Sequence, residues 1–246
     1  MKKDIRLIAL DMDGTLLNNQ HVVSERNKEA IRAARDQGVE VIISTGRHYQ
    51  SSFEIARELD IHYLITVNGS EIWTLDGELI ARQTLDPDIV IKLMELKEKY
   101  GTWSWLASVD KIFSNETPED ILAYEWLKVG FDTDDDQTKE EIIQTITEWG
   151  NVEWSNSSPT NIEVNAMGVN KAAAIEKVCE RLDLSMEQVM AAGDSLNDIK
   201  MIEKAGLGVA MGNAQQVVMD KADYITDTNE NDGVAKAIEK WVLHKN

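Results

Sequence analysis

Residues 5–16 read Ile5-Arg6-Leu7-Ile8-Ala9-Leu10-Asp11-Met12-Asp13-Gly14-Thr15-Leu16. A mostly aliphatic run stops abruptly at two acids and a glycine. The run, Ile5–Leu10, suits a strand of a parallel sheet covered on both faces. In extended chain, residues two apart face the same side. Asp11 and Asp13 therefore project together from the strand's C-terminal end, and Gly14 lets the chain turn away. In open α/β sheets ligands bind at that carboxyl edge. Paired carboxylates there can hold a hard divalent cation and divide nucleophilic from acid/base work. In isolation an Asp-x-Asp is also the sequence of a turn with two solvated acids.

The pattern around this stretch repeats. Val39–Ser44 and Tyr63–Val67 read as further buried strands. Between the first two lies a helix with Ser24 as N-cap, Ala30, Ile31 and Ala34 as apolar stripe and Gly38 as terminator. A second helix spans about 50–59. Strand and helix in alternation predict right-handed crossovers and a doubly wound parallel α/β sheet. Ile72–Leu75 and Leu79–Ala81 flank Asp76-Gly77, a hairpin signal. The α/β texture returns with a helix over Lys171–Leu182, strands at Val189–Gly193 and Leu207–Met211, and helices near 196–205, 214–220 and 233–243.

The middle differs. Asp86-Pro87 opens a helix carrying Ile89, Leu93, Leu96 and Tyr100; Thr117-Pro118 opens another; Thr138 and Glu141 form a capping box ahead of Ile142, Ile146 and Trp149. Short alternating runs lie near 102–106, 111–114, 152–154 and 161–164. This α+β pattern predicts an inserted domain at 83–165 within a core made of 1–82 and 166–246. Five of the seven tryptophans fall in the insertion, as its aromatic core or as walls of a substrate pocket. The acidic run Asp132, Asp134, Asp135 and Asp136 lacks the glycine and distal glutamate of a calcium loop and reads as a solvated loop.

Of 246 residues, 43% are hydrophobic and 28% charged, ordinary for a globular enzyme. The formal charge of −19 argues against nucleic acid or anionic lipid as partners. Leu7–Leu10 is too short for a membrane span or a signal peptide's apolar region. The single Cys179 excludes an internal disulfide and a cysteine-based zinc site and reads as a helix-face residue. The cytoplasm is the expected compartment, and the expected assembly is a monomer or small homo-oligomer.

Other strands also end in polar residues. Val39–Ser44 leads into Thr45-Gly46-Arg47, a hydroxyl and a backbone N–H suited to a phosphate oxygen. Val189–Gly193 leads into Asp194-Ser195-Leu196-Asn197-Asp198. Lys171 starts the helix before that strand and offers a cation. His21 and His48 read as surface or hinge residues, Asn68 as a pocket or turn residue, and Arg47 as a salt bridge to the inserted domain, a substrate contact or a structural ion pair. Ser195 has no histidine partner that would make it a nucleophile.

Asp11-x-Asp13-Gly-Thr-Leu, Ser44-Thr45-Gly46-Arg47, Lys171 and Gly193-Asp194-Ser195-x-Asn197-Asp198 resemble the four motifs of the haloacid dehalogenase-like phosphatases. Their order, and a large insertion between the second and third, resemble the Cof-type subfamily, as do Val67-Asn68-Gly69 and the stretch 208–214. Ala172 departs from the glycine usual after the lysine, which bears on local helix packing.

The resemblance implies a Rossmann-like core with a substrate-specificity cap. It implies Asp11 as a nucleophile that forms an aspartyl-phosphate and Asp13 as acid then base. It also implies Mg²⁺ at the Asp11 carboxylate, the Asp13 backbone carbonyl and Asp194. Thr45, Gly46, Lys171 and Asn197 would hold phosphoryl oxygens, with Asp198 orienting Lys171 or a metal-bound water. The implied activity is Mg²⁺-dependent hydrolysis of small phosphorylated metabolites, sugar phosphates or phosphorylated cofactors. Phosphosugar mutase or phosphotransferase chemistry on the same intermediate, and non-catalytic phosphometabolite binding, are the alternatives.

Overall fold

The computed structural model describes residues 3–244. The chain runs β1 (Leu7–Leu10), α1 (Glu25–Asp36), β2 (Glu40–Ser44), α2 (Tyr49–Glu58), β3 (Tyr63–Thr66), β4 (Glu71–Thr74) and β5 (Leu79–Arg82). It continues through α3 (Pro87–Tyr100), β6 (Trp103–Ser108), β7 (Ile112–Ser114), β8 (Trp126–Asp132), α4 (Asp136–Trp149), β9 (Val152–Ser155) and β10 (Asn161–Ala166). Last come α5 (Lys171–Arg181), β11 (Val189–Gly193), α6 (Ile199–Lys204), β12 (Leu207–Ala210), α7 (Gln216–Met219), β13 (Tyr224–Ile225) and α8 (Gly233–Trp241).

The first sheet has the order β13-β12-β11-β1-β2-β3-β4-β5. It is parallel from β13 to β3, and the hairpin β4–β5 extends it antiparallel. β1 lies inside, and its alternation feeds two cores. Ile8 and Leu10 pack with Ile31, Ile43 and Ile238 on one face; Leu7 and Ala9 pack with Ile42, Ile175, Val178 and Met201 on the other. That double burial explains why the strand is apolar throughout. Cys179 belongs to the second of these cores, where burial pushes its thiol up to about 11, as expected of an inert core residue.

Residues between β5 and α5 build a second, antiparallel sheet of order β7-β6-β8-β10-β9. One face, with Leu106, Val129, Phe131, Ile162 and Val164, packs on Leu93 of α3 and on Ile142 and Ile146 of α4. From the opposite face Trp105, Ala107, Lys128 and Glu163 look onto the cleft at the carboxyl edge of the first sheet. The two sheets touch through Val67, Ala107 and Leu127. They are also joined by hydrogen bonds from Asn165 Nδ2 to the Val67 carbonyl (3.1 Å) and from Ser70 Oγ to the Leu127 carbonyl (3.1 Å).

Four local expectations need correction. Thr117-Pro118 opens no α-helix; a single 3-10 turn follows at Ile121–Ala123, capped by Asp120. The helix expected from Thr138 begins at Asp136, because the Asp135 carboxylate accepts from the Gln137 and Thr138 amides. The acidic run is therefore a strand end and a helix cap rather than a plain loop. β8, central in the second sheet, has no counterpart in the sequence reading: Lys128 and Gly130 break its apolar pattern. Of the aromatic residues there, Trp126 is fully buried while Trp105 walls the cleft. Among the described residues no helix is long and apolar enough to cross a membrane.

Candidate active site

The chain leaves β1 in a tight turn. Met12 points into the core, while Asp11 and Asp13 line the cleft. Gly14 has φ +76°, and a Cβ there would lie 2.4 Å from Asp194 Oδ2, so both conformation and space require glycine. Asn213 Nδ2 donates to the Gly14 carbonyl at 2.8 Å and pins the turn.

Asp11 is buried and accepts from Lys171 Nζ at 2.5 Å. Lys171, wholly buried at the start of α5, also donates to Asp198 Oδ1 at 2.6 Å. The other Asp198 oxygen accepts from the Asp194 and Ser195 amides at 2.9 and 3.0 Å. Asp194 accepts from the Thr15 and Ser195 hydroxyls, each at 3.1 Å. One carboxylate oxygen from each of Asp11, Asp194 and Asp198 falls within 4.8 Å of the others.

Three acids share one ammonium in a buried place, and their titration reflects it. Burial pushes Asp11 well above the carboxylate range, against the pull of Lys171, and Asp198 and Asp194 push it further. Burial and Asp198 push Asp194 up to about 7. Burial alone would favour neutral Lys171, but Asp11 and Asp198 outweigh it and raise its pKa. The cluster thus lacks positive charge and presents hard oxygen donors, the chemistry that suits a hard divalent cation. Asp198 accepts from three N–H donors, whereas Asp11 accepts through one oxygen only and each Asp194 oxygen takes a single hydroxyl, so Asp11 and Asp194 keep the greater acceptor capacity.

Asp13 lies toward the mouth, its side chain 50% exposed. Arg47 grips both its oxygens, Nε at 2.7 Å and Nη2 at 2.6 Å, so Arg47 serves an ion pair rather than the second sheet. His21 stands 4.0 Å from Asp13 on the surface. His48 is buried, its Nε2 3.0 Å from the Ser108 carbonyl of β6. Gly46 and Asn197 line the cleft, and Thr45 and Lys171 are buried beside residues that line it; Thr45 Oγ1 accepts from the Arg47 amide at 3.1 Å. Ser195 lines the cleft and is hydrogen-bonded to Asp194 and the Ser157 carbonyl, with no histidine beside it.

Sequence reasoning missed the second sheet's contribution. Lys128 and Glu163 are buried, 3.2 Å apart, with Lys128 Nζ also on the Gly46 carbonyl at 2.8 Å. Their signal was a lone charge inside each of two otherwise apolar runs, Trp126–Phe131 and Ile162–Val164. The cleft encloses about 330 Å³, room for a small metabolite.

A doubly wound sheet carries an acidic, lysine-bearing pocket at its carboxyl edge, and a second sheet roofs it, an arrangement suited to binding a small anionic ligand and a hard cation. The family profile of haloacid dehalogenase-like hydrolase matches residues 8–125 and 115–238, and the chain belongs to that family. It is 54% identical over 241 residues to the 5-amino-6-(5-phospho-D-ribitylamino)uracil phosphatase YcsE of Bacillus subtilis, covering 98% of this chain and 97% of that one. It is 31% identical over 263 residues to a second B. subtilis phosphatase of the same description, YitU, covering 96% and 97%. A solved haloacid dehalogenase-like hydrolase of B. subtilis superposes with TM-score 0.88 at 26% identity, covering 96% of this chain and 99% of that one. The chain is a phosphatase of the Cof-type branch.

Proposed function

We propose that this phosphatase hydrolyses 5-amino-6-(5-phospho-D-ribitylamino)uracil, or a close polyol-phosphate relative, through an aspartyl-phosphate on Asp11. The observation that carries the reading is Asp11 held at 2.5 Å by Lys171 beside Asp194 and Asp198, at the floor of a cleft that Asp13 also lines. The 54% identical relative supports the substrate.

Asp11 is fixed for in-line attack, with its oxygen bonding to phosphorus as the ester oxygen leaves. Asp13 gives the leaving oxygen a proton and later takes one from the water that cleaves the acyl phosphate. Arg47 takes one lone pair on each Asp13 oxygen, so the proton comes and goes at a lone pair that Arg47 leaves free. Lys171 uses two of its three N–H donors on Asp11 and Asp198, leaving one for a phosphoryl oxygen; Asn197, Gly46 and Thr45 would supply others. Bound Mg²⁺, held by the Asp11 and Asp194 carboxylates and the Asp13 carbonyl, would supply the positive charge that lets a phosphate dianion approach. Residues 83–165 act as the cap: their sheet closes the cleft, excludes water and reads the leaving group. We place the reaction in the cytoplasm.

The test is phosphate release from 5-amino-6-(5-phospho-D-ribitylamino)uracil and from a panel of sugar phosphates, with Mg²⁺ and with chelator. Release that needs Mg²⁺ and vanishes in Asp11→Asn is expected. Failure to release phosphate from any ester, a generic aryl phosphate included, would overturn the reading.

A further inference from the structure

The second sheet reaches the fourth motif through three side chains whose polarity is fixed in sequence. Glu163 Oε2 on β10 accepts from Asn68 Nδ2 at 2.6 Å, and Oε1 accepts from Ser157 Oγ at 2.9 Å. Asn68 Oδ1 accepts from Asn197 Nδ2 at 3.2 Å. Burial opposes the Glu163 charge, but Lys128 and its hydrogen bonds outweigh it and hold it below the ordinary range. A carboxylate only accepts, so Asn68 turns its NH₂ to Glu163 and its carbonyl oxygen to Asn197. That oxygen only accepts, so Asn197 presents its own NH₂ on that side. Asn197 keeps this orientation although its Oδ1 is buried with no partner among the described residues, an arrangement unfavourable in itself.

The backbone carrying Asn68 is held from the same direction. Val67 and Asn68 have φ of 50° and 61°. For a β-branched residue such as Val67 this is strained and persists only where neighbours hold it. Those neighbours come from the second sheet: Asn165 donates to the Val67 carbonyl at 3.1 Å and to Ser70 Oγ at 3.1 Å, and the Val67 side chain packs on Ala107 and Leu127.

We propose that Glu163, acting through Asn68, sets the orientation in which Asn197 offers its amide to the phosphoryl group, so that seating of the second sheet completes the reaction centre. The proposal rests on the phosphatase reading above and deepens it. Glu163 and Asn68 are positioning residues. With the second sheet lifted away, Asn68 loses the acceptor that fixes its amide, and Asn197 loses its template. Closure and assembly of the phosphoryl site then become one event, and substrate is not cleaved while water has free access.

The test uses Glu163→Gln, nearly isosteric but able to present a donor, with p-nitrophenyl phosphate and 5-amino-6-(5-phospho-D-ribitylamino)uracil as substrates. Misorienting Asn197 is expected to lower kcat by about tenfold to a hundredfold on both substrates alike, with KM within about twofold. In an Asn197→Ala background the Glu163→Gln change is expected to add almost nothing, the signature of action through that residue. Asn68→Gly keeps the left-handed backbone accessible and cuts the relay at its middle; the same losses and the same silence are expected. A loss confined to the larger substrate would make Glu163 a reader of the leaving group and overturn the relay, as would full additivity with Asn197→Ala. No turnover by the unaltered chain would overturn the phosphatase reading itself, and the relay with it.

Discussion

Arg47 lays two arms of its guanidinium on the two oxygens of Asp13, at 2.7 and 2.6 Å, so the second motif dictates where the second acid of the first motif points. Only a planar fork can do this; a lysine makes a single point contact. If Asp13 is the acid proposed above, kcat in Arg47→Lys is expected to fall about tenfold or more, because Asp13 would no longer be held in a fixed pose. The pair is half-exposed, so stability is expected to stay within about 1 kcal/mol of the parent. Steady-state kinetics beside a denaturant melt checks both halves; a stability loss that tracks the activity loss would make Arg47 a structural residue.

Among the described residues Lys171 is the only cation paired with Asp11 and Asp198, and it is wholly buried. Removing one partner of a buried ion pair strands the other. Lys171→Met is expected to cost about 3–5 kcal/mol in a urea melt. Combining it with Asp11→Asn is expected to recover part of that loss, since one stranded carboxylate is gone. A double variant no more stable than Lys171→Met would show that the charge imbalance is not the cause.

Stability and pH are linked through Asp194 and Asp11, whose folded pKa values are raised. A raised carboxyl holds its proton in the folded chain after the unfolded chain has released it. Its contribution is therefore complete below the ordinary carboxylate range and is lost as pH rises toward about 7, the Asp194 value. Metal-free protein is expected to melt at progressively lower temperature from pH 5 to pH 7.5. Added Mg²⁺ at a hundredfold excess over its pH 7.5 Kd is expected to stabilise the fold by about 2.7 kcal/mol at pH 7.5, and by less at pH 5, where the same acids are protonated. Equal shifts at both pH values, or an undiminished shift in Asp194→Asn, would remove these acids from the metal site.

Trp105 rests its indole directly on Gly130, where a Cβ would sit 2.1 Å from the ring. Gly130→Val must displace the ring from the cleft wall, at a cost of about 1–3 kcal/mol. KM for the ribitylaminouracil phosphate is expected to rise several-fold, and turnover of p-nitrophenyl phosphate to change little. Unchanged KM for the larger substrate would show that the Trp105 surface does not touch it.

Both ends of the core were legible because their signals are local. β11 spans the residues expected, Val189–Gly193, and β2 and β3 fall within one residue of their expected bounds. Buried parallel strands are short apolar runs, and the acids at their ends mark the edge where the sheet cannot cover itself. Asp11, Lys171, Asp194 and Asp198 come together as their places in the alternation imply. The middle was harder. β8 lies at the centre of its sheet, but Lys128 faces the cleft and Gly130 lies beneath Trp105, so both interrupt the apolar pattern for reasons that belong to the site. His48 reads as a surface residue until β6 is seen to cover it.

The order of strands and helices, the apolar faces and the acids at the strand tips follow from chain-local chemistry: burial, periodicity and turn preference act over a few residues. Which donor meets which acceptor does not. Asn68 and Glu163 lie 95 positions apart, yet stand 2.6 Å from one another because a face of the second sheet packs over the carboxyl edge of the first. That meeting is set by packing between surfaces distant in the chain, and only the tertiary structure decides it.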